Sequence, residues 1–220
     1  MGDQDGGHDD EQGGQDGAKR SRAQTRRRLI AAGSDVLAQR GLRGASVAEL
    51  CAAAGFTRGA FYSNFSTKEE LAVAIYEDHV DQLVEVLAEQ VQLRLEASQP
   101  VDEVLAYALD AIAGVADNGS WHAFRLEMQL AAGRDPQLRQ LVDAQYERLV
   151  EAAIRALQET QKRGAVLRLP VETLARLLVA VRDGELMRSL AGERGARTSL
   201  LPAAWQAFVR EPEPGTRPTG

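Results

Sequence analysis

Apolar residues recur at helical spacing along nearly the whole chain after residue 18. Leu29, Ala32 and Val36 fall on one face of the first such segment. Alternation of apolar and polar residues, which marks half-buried strands, is almost absent, and only 7 of 220 residues are proline. The sequence therefore predicts an all-α fold. The predicted helices are Ser21–Gln39, a short one between Ser46 and Gly55, Arg58–Asn64, one from Ser66 or Thr67 to Leu95, Val101–Ala116, Trp121–Ala132, Pro136–Arg163, Val171–Leu190 and Ser199–Val209.

Charge is distributed unevenly along the chain, whose net charge is −6. Residues 1–17 hold six acids and no base, whereas residues 18–68 hold ten lysines and arginines against two acids. A short basic segment between acidic ones predicts a polyanionic partner for that segment. Residues 1–17 and 211–220 have little to bury and are predicted to be disordered. The acidic residues 1–17 either compete with that partner for the basic surface or only solubilise the chain.

Several classes of protein are excluded by what the sequence lacks. The single cysteine, Cys51, rules out an intramolecular disulfide. No window approaches the roughly 20 apolar residues of a membrane span, so we expect a cytoplasmic protein with no membrane partner. No Glu-x-x-His repeat, glycine-rich phosphate loop or serine-centred elbow is present, so no enzyme activity, cofactor or metal site is predicted.

Two short helices joined by a tight turn are predicted within residues 46–64. Ser46 and Glu49 have the spacing of a capping box, and Gly55 ends the first helix. Thr57 can cap the next helix. Two such helices around a glycine-containing turn are the pattern of a helix-turn-helix unit.

Four aromatic residues cluster in the second helix and its turn, although aromatics make up only 5% of the chain. Phe61 and Phe65 are four residues apart and share a face, with Phe56 beside them in the turn. These three are predicted to fill the core of a three-helix unit. Tyr62 lies about 100° around the helix from Phe61 and is predicted to be exposed. The predicted core partners of the three phenylalanines are Leu29, Val36, Leu37, Val47 and Leu50.

The stretch from Thr25 to Leu71 closely resembles the DNA-binding domain of tetracycline-repressor-like (TetR family) regulators. The matching positions are Ala32, Gly41, Ser46, Val47, Leu50, Ala54, Gly55, Phe56, Thr57, Gly59, Phe61, Tyr62, Phe65, Lys68, Glu69 and Leu71. The resemblance implies homodimers with a helix-turn-helix head, residues 18–66, and a helical body, residues 67–210, for ligand binding and dimerisation. It implies a repressor that binds near-palindromic double-stranded operator DNA and is released by a small-molecule inducer of unknown identity. The alternative is an architectural DNA-binding protein without ligand control.

The resemblance assigns DNA contacts to the recognition helix, Thr57 to Asn64, and its surroundings. The implied base-edge contacts are Arg58, Gly59 and Ala60. The implied phosphate contacts are Ser46, Thr57, Tyr62 and Lys68, and Ser63 and Asn64 suit either kind. Arg58 is either a bidentate guanine reader or one more phosphate contact. Six bases ahead of the first helix suit a flexible arm that reaches the duplex: Lys19, Arg20, Arg22, Arg26, Arg27 and Arg28.

The segment from Val171 to Leu190 carries a broad apolar face and resembles the late dimerisation helix of the family. Paired with Tyr146–Leu157 it would form a four-helix interface between two subunits. The implied interface residues are Tyr146, Leu149, Ala153, Leu174, Leu177, Leu178, Val181 and Leu186. Alternatively, one of these two helices belongs only to the core of its own chain.

Aromatic, Met and polar residues in the middle of the body are candidates for a ligand pocket, because such pockets are mostly apolar with a few polar groups. The predicted lining residues are Leu83, Leu87, Tyr107, Trp121, His122, Phe124, Arg125 and Met128. The same stripe is also what ordinary core packing produces. His122 and Arg125 could recognise an anionic ligand, or pair with Glu127 or Asp117.

Overall fold

A computed structural model of the chain describes residues 10–97, 99–100, 103–104, 119–190 and 200–210. Within these ranges, the side chains of residues 10–20, 119–120, 186 and 189–190 are outside the description. The described residues form eight α-helices and one two-stranded sheet. The helices are α1 Asp10–Gly44, α2 Val47–Ala54, α3 Arg58–Tyr62, α4 Lys68–Glu96, α5 Gly119–Ala132, α6 Pro136–Lys162, α7 Val171–Leu190 and α8 Leu200–Phe208. The all-α prediction is confirmed, apart from the short strands β1 Val166–Leu167 and β2 Val209–Arg210.

Helix α1 differs most from its predicted bounds, because it begins at Asp10 rather than Ser21. Residues 10–17, predicted to be disordered, are therefore helical. Acidic residues are favourable at a helix N-terminus, and extending an existing helix avoids the cost of nucleating a new one. Gly41 takes φ 72°, so α1 is kinked at the predicted cap glycine before it ends at Gly44.

The chain divides between Tyr76 and Glu77 into two compact units, here called the head and the body. This division lies ten residues after the predicted boundary at residue 66. The reason is that Leu71 and Ile75, near the start of α4, are buried with the head residues Leu29, Leu50 and Phe61.

Gly33 on α1 packs closely against Leu71 and Ile75 of α4 in the head. A Cβ atom at Gly33 would lie 3.1 Å from Ile75 Cδ1 and 3.2 Å from Leu71 Cδ2. Both distances are shorter than ordinary van der Waals contact. A side chain at position 33 would therefore force Leu71 and Ile75 to shift.

The body core is formed by α6, α7 and α8 around Leu157, Leu174 and Trp205. Arg163 donates a hydrogen bond to Leu95 O at 2.8 Å, and Arg148 pairs with Asp81. The two contacts are 14 residues apart along α4 and 15 residues apart from Arg148 in α6 to the residue that follows this helix, so the two helices run in the same direction. After α6 the chain forms β1, which pairs antiparallel with β2 through Val166–Arg210 and Leu167–Val209.

The remaining predicted helices agree with the structure to within two residues at each end, including α3, which ends at Tyr62 rather than Asn64. The predicted helix Val101–Ala116 lies almost entirely outside the described residues. No helix in the described part of the chain is both long enough and apolar enough to cross a membrane.

Replacing Gly33 with valine should destabilise the head, because its branched side chain would displace Leu71 and Ile75 from their present packing. We expect the free energy of unfolding to fall by about 1–3 kcal/mol, the usual cost of overpacking a core. Chemical denaturation followed by circular dichroism measures this change. Gly184→Val is the matched control, since a Cβ at Gly184 has nothing within 4 Å. Equal stability of the two variants would contradict tight packing at Gly33.

Candidate nucleic-acid interface and cavity

Helix α3 has only five residues and is fixed by two phenylalanines. Phe61 is 0% exposed and Phe65 is 1% exposed, and their ring centroids lie 6.0 Å apart. Phe56 is only half-buried, and the Arg28 guanidinium covers its ring at 4.7 Å. The predicted core role is therefore confirmed for Phe61 and Phe65, whereas Phe56 lies at the edge of that core.

Side chains at both ends of α3 form hydrogen bonds with its backbone N–H and C=O groups. Thr57 has extended backbone angles, and its Oγ1 accepts a hydrogen bond from Ala60 N at 3.2 Å. Ser63 Oγ and Asn64 Nδ2 each donate to Ala60 O at 2.9 Å. Ser63 is exposed, whereas Asn64 is half-buried. These bonds hold the four predicted contact residues in one short, fixed segment.

The outer surface of α3 combines an arginine, a tyrosine and small residues. Arg58 and Gly59 are exposed, Ala60 is half-buried, and Tyr62 is 56% exposed. A Cβ atom at Gly59 would have Thr57 Oγ1, at 3.7 Å, as its nearest neighbour, which is an ordinary contact. The fold therefore does not require glycine at position 59. Because the side chains at positions 59 and 60 are small, another molecule can approach the helix backbone closely.

Ser46 caps α2 in a complete capping box, as predicted. Its Oγ accepts from Glu49 N at 3.3 Å, and its own N–H donates to Glu49 Oε2 at 3.0 Å. Hydrogen bonds from the Ser46 backbone and hydroxyl, with the nearby Arg40 charge, lower the pKa of Glu49. Ser46 is exposed, but its hydroxyl is already engaged with Glu49.

Lys68 is half-buried and directed at the protein rather than outward. Its Nζ donates to Leu42 O at 2.8 Å and to Ala45 O at 3.0 Å. These carbonyls follow the kink of α1, so the ammonium group ties the end of α1 to the start of α4. This geometry favours a structural role for Lys68 over the predicted phosphate contact.

The basic residues predicted to form a flexible arm lie instead within α1. Arg26 stacks over the Phe65 ring at 5.0 Å, and Arg28 covers Phe56 and approaches Ala54 O at 3.4 Å. Arg22 and Arg27 are exposed on the helix surface. The arm prediction is therefore wrong for Arg26 and Arg28, because aromatic faces bind their guanidinium groups.

The body contains a partly open cavity of about 130 Å³ between α4, α5, α6, α7 and α8. Its walls are mostly aliphatic, with Leu83 and Leu87 from α4 and Ala153 and Ala156 from α6. Both tryptophans of the chain, Trp121 and Trp205, also line it. A small, mostly apolar cavity with a few polar groups is the usual form of a ligand site.

Polar side chains of the cavity are His79, His122, Arg125, Thr160, Arg182 and Asp183. Arg125 and Asp183 form an ion pair of 2.9 Å with side chains only 12% and 25% exposed. The His79 ring stacks on Trp121 with centroids 3.7 Å apart. Burial, followed by the positive charges of His122 and Arg125, lowers the pKa of His79 to about 4. His79 is therefore neutral at pH 7.

The predicted ligand residues divide into three groups. Leu83, Leu87, Trp121, His122 and Arg125 line the cavity. Phe124 and Met128 are each 1% exposed but are core residues behind it, with Phe124 packed 5.2 Å from Trp121. Tyr107 lies outside the described residues.

The sequence analysis missed His79 and Asp183 as cavity residues. His79 precedes Leu83 by four residues and Leu87 by eight, so helical spacing already put it on the same face. No comparable signal marked Asp183, because its partner Arg125 lies on a helix distant in sequence.

Two of the predicted dimer residues are buried in the core of their own subunit. Leu174 is 0% exposed and Leu178 is 8% exposed, so the intrachain alternative is favoured at these two positions. Leu149 and Ala153 line the cavity but are only partly buried. These two positions stay dimer predictions, as do the partly buried Tyr146, Leu177 and Val181, while the Leu186 side chain is outside the description.

Two family models match this chain. Residues 29–75 match bacterial regulatory proteins of the tetR family, and residues 99–211 match a tetracyclin repressor-like C-terminal domain. The second match alone covers more than half of the chain.

Individual relatives agree with these matches. The transcriptional regulator CymR of Pseudomonas putida is 35% identical over 125 residues, covering 57% of this chain and 59% of that regulator. The transcriptional repressor DhaR of Mycobacterium sp. (strain GP1) is 25% identical, covering 88% of this chain and 96% of that repressor. A TetR-family regulator structure from Mesorhizobium loti shares the fold, with a TM-score of 0.71 and 19% identity over 84% of this chain and 95% of that one.

Three observations lead to the same result: the head with its short capped helix, the helical body with its cavity, and the two family matches. The chain belongs to the TetR family of DNA-binding transcriptional regulators, which is not a family of enzymes.

Proposed function

We propose that this regulator is a repressor that binds a near-palindromic operator as a homodimer and is released by a small-molecule inducer. The observation that carries the DNA-binding part is the outer surface of α3, where exposed Arg58 and Tyr62 flank a glycine that the fold does not require. Repression is supported by similarity to DhaR, a repressor. Inducer control is supported by the apolar cavity of the body.

In this proposal, two copies of α3 enter successive major grooves about 34–36 Å apart, one turn of the duplex. Arg58 reads a guanine, since its guanidinium can donate to O6 and N7 together. Thr57, Tyr62 and Ser63 hold the phosphates that fix the helix in register. Inducer lowers DNA affinity because it binds better to the arrangement of the dimer that does not fit the operator.

Selection of genomic fragments by the purified, ligand-free protein tests this function. At near-physiological salt we expect enrichment of a palindrome whose half-sites are centred about one helical turn apart. The enriched fragment should be released when the inducer is supplied. Binding that is sequence-independent and falls steeply with salt would favour the architectural alternative.

Gly59→Ala should reduce DNA affinity without harming the fold. The added methyl group has room in the free protein but would obstruct close approach of the duplex, at a cost of roughly 1–3 kcal/mol, which is about 5- to 150-fold in affinity. Thermal stability should stay the same or rise slightly, since alanine favours helix. Fluorescence anisotropy with labelled operator measures the affinity.

Gly44→Ala is the matched control for this substitution, since a Cβ at Gly44 meets only Arg40 Cβ at 3.6 Å and Gly44 is not a predicted contact. If Gly59→Ala bound operator as tightly as this control, the close approach of DNA to α3 would be disproved.

Arg58→Ala and Tyr62→Phe should separate base recognition from phosphate binding. Arg58→Ala should relax preference at one base pair of each half-site, with a loss of about 1–3 kcal/mol for the preferred base. Tyr62→Phe should weaken binding to all sequences alike, by about 1 kcal/mol, because it removes a single hydrogen bond. Affinities for a panel of single-substitution operators measure both effects. An unchanged preference in Arg58→Ala would reassign Arg58 to the phosphates.

A further inference from the structure

The cavity of the body has one polar end and otherwise apolar walls. On α4, the lining residues run from His79 to Val91, and on α6 from Leu149 to Thr160. Trp121, His122, Arg125, Arg182 and Asp183 lie with His79 among the lining residues, while Val91 and Val104 belong to an apolar cluster with Leu95. Thr160 already donates its hydroxyl proton to Leu157 O at 2.7 Å. A ligand that fits this cavity therefore has an apolar body and a polar group at one end.

The volume indicates the size of the apolar body. A cavity of about 130 Å³ is slightly smaller than the engineered, leucine-lined cavities of ~150 Å³ that hold a benzene ring. The space within the described walls therefore suits an apolar body of about six carbon atoms, and a longer chain would extend through the open side of the cavity.

The polar end holds a cationic group that an anion can engage. The described cavity-lining residues include two arginines, Arg125 and Arg182, and one acid, Asp183. His79 is neutral because burial, followed by electrostatic interaction with His122 and Arg125, lowers its pKa to about 4. An anionic ligand at this end would compete with Asp183 for Arg125.

The ion pair of the cavity has two unequal members. Arg125 is 12% exposed and Asp183 is 25% exposed. A buried guanidinium without a counter-charge is costly, so Arg125 needs an anionic partner at all times. Asp183 has better access to water and can leave at lower cost. A carboxylate can replace it, because the guanidinium binds either carboxylate with the same planar geometry.

His79 supplies a second polar contact for such a ligand. Its Nε2 is buried and has no hydrogen-bond partner in the described part of the chain. Buried nitrogen atoms of this kind are normally satisfied by a partner. A carboxylate held by Arg125 would provide an acceptor for an N–H at this position.

We propose that the inducer is an apolar organic acid, bound as its carboxylate by Arg125 in place of Asp183. The apolar body occupies the space between α4 and α6, and the exchange frees α7, which carries Asp183, from α5, which carries Arg125. The description of this ligand as an inducer rests on the proposed function. The ligand class and the exchange of ion-pair partners are properties of the body alone.

Tryptophan fluorescence of the full-length protein measures binding without DNA, because both tryptophans of the chain line the cavity. The probes are octanoate and benzoate, each compared with its neutral amide, and octylamine as the cation. We expect saturable binding of a carboxylate and at least about tenfold weaker binding of its amide, the usual effect of losing a charge-assisted hydrogen bond. Equal binding of acid and amide, tighter binding of octylamine, or no response to either acid would overturn the proposal.

Two variants test the exchange directly. Arg125→Gln should abolish the preference for acid over amide, and Asp183→Asn should strengthen carboxylate binding several-fold, because the competing charge is removed. The matched control is Arg176→Gln, which breaks a surface pair with Glu147 (2.7 Å, 51% and 49% exposed) and should leave binding unchanged.

Circular dichroism establishes whether each variant is folded. If Arg125→Gln does not fold, carboxylate binding by Asp183→Asn tests the exchange instead. Weaker carboxylate binding by Asp183→Asn than by the unmodified protein would overturn the exchange.

Operator binding distinguishes failure of this inference from failure of the proposed function. A protein that binds a palindrome specifically but no carboxylate would overturn the ligand class and leave the DNA-binding role standing. A protein that binds octanoate or benzoate through Arg125 but no specific DNA would overturn the repressor proposal and leave the ligand class standing.

Discussion

Burial of Phe61 and Phe65 holds the proposed DNA-binding surface together. A helix of five residues does not form alone, because nucleation costs more than its few hydrogen bonds return. Two fully buried rings and the Thr57 cap supply what the backbone of α3 lacks. Arg58, Gly59 and Tyr62 can then be chosen for an external partner, since none of them is needed to hold the helix in place.

A different physical constraint operates at the cavity of the body. A buried arginine without a counter-charge is costly, and the pair of Arg125 and Asp183 ties α5 to α7. In the proposed exchange, a ligand carboxylate would take the place of Asp183. The aliphatic walls contribute apolar area but little discrimination between ligands. Selectivity and conformational response would then depend on the same guanidinium group.

Sequence reasoning succeeded wherever neighbours along the chain determine the structure. The capping box of Ser46 and Glu49, the left-handed cap at Gly55 and the exposure of Tyr62 all depend on residues within one helical turn. It failed where the partner is distant in sequence. Lys68 was expected to face phosphate, yet its ammonium group binds Leu42 O and Ala45 O, which no local pattern could indicate. The close packing at Gly33 and the burial of Leu174 were not predicted for the same reason, since the residues that surround them belong to other helices.

The sequence by itself determined the helical class, the helix-turn-helix motif and the family. Periodicity, helix caps and a long ordered motif all depend on residues that are close together in the sequence. Only the tertiary structure decided which apolar faces are closed within one subunit, so Leu174 proved to be core and Leu178 a cavity wall rather than dimer contacts. It also decided which charges meet, as with Arg125 and Asp183. A helix displays its apolar and charged stripes equally to any neighbour, and the identity of that neighbour is fixed only when the helices pack.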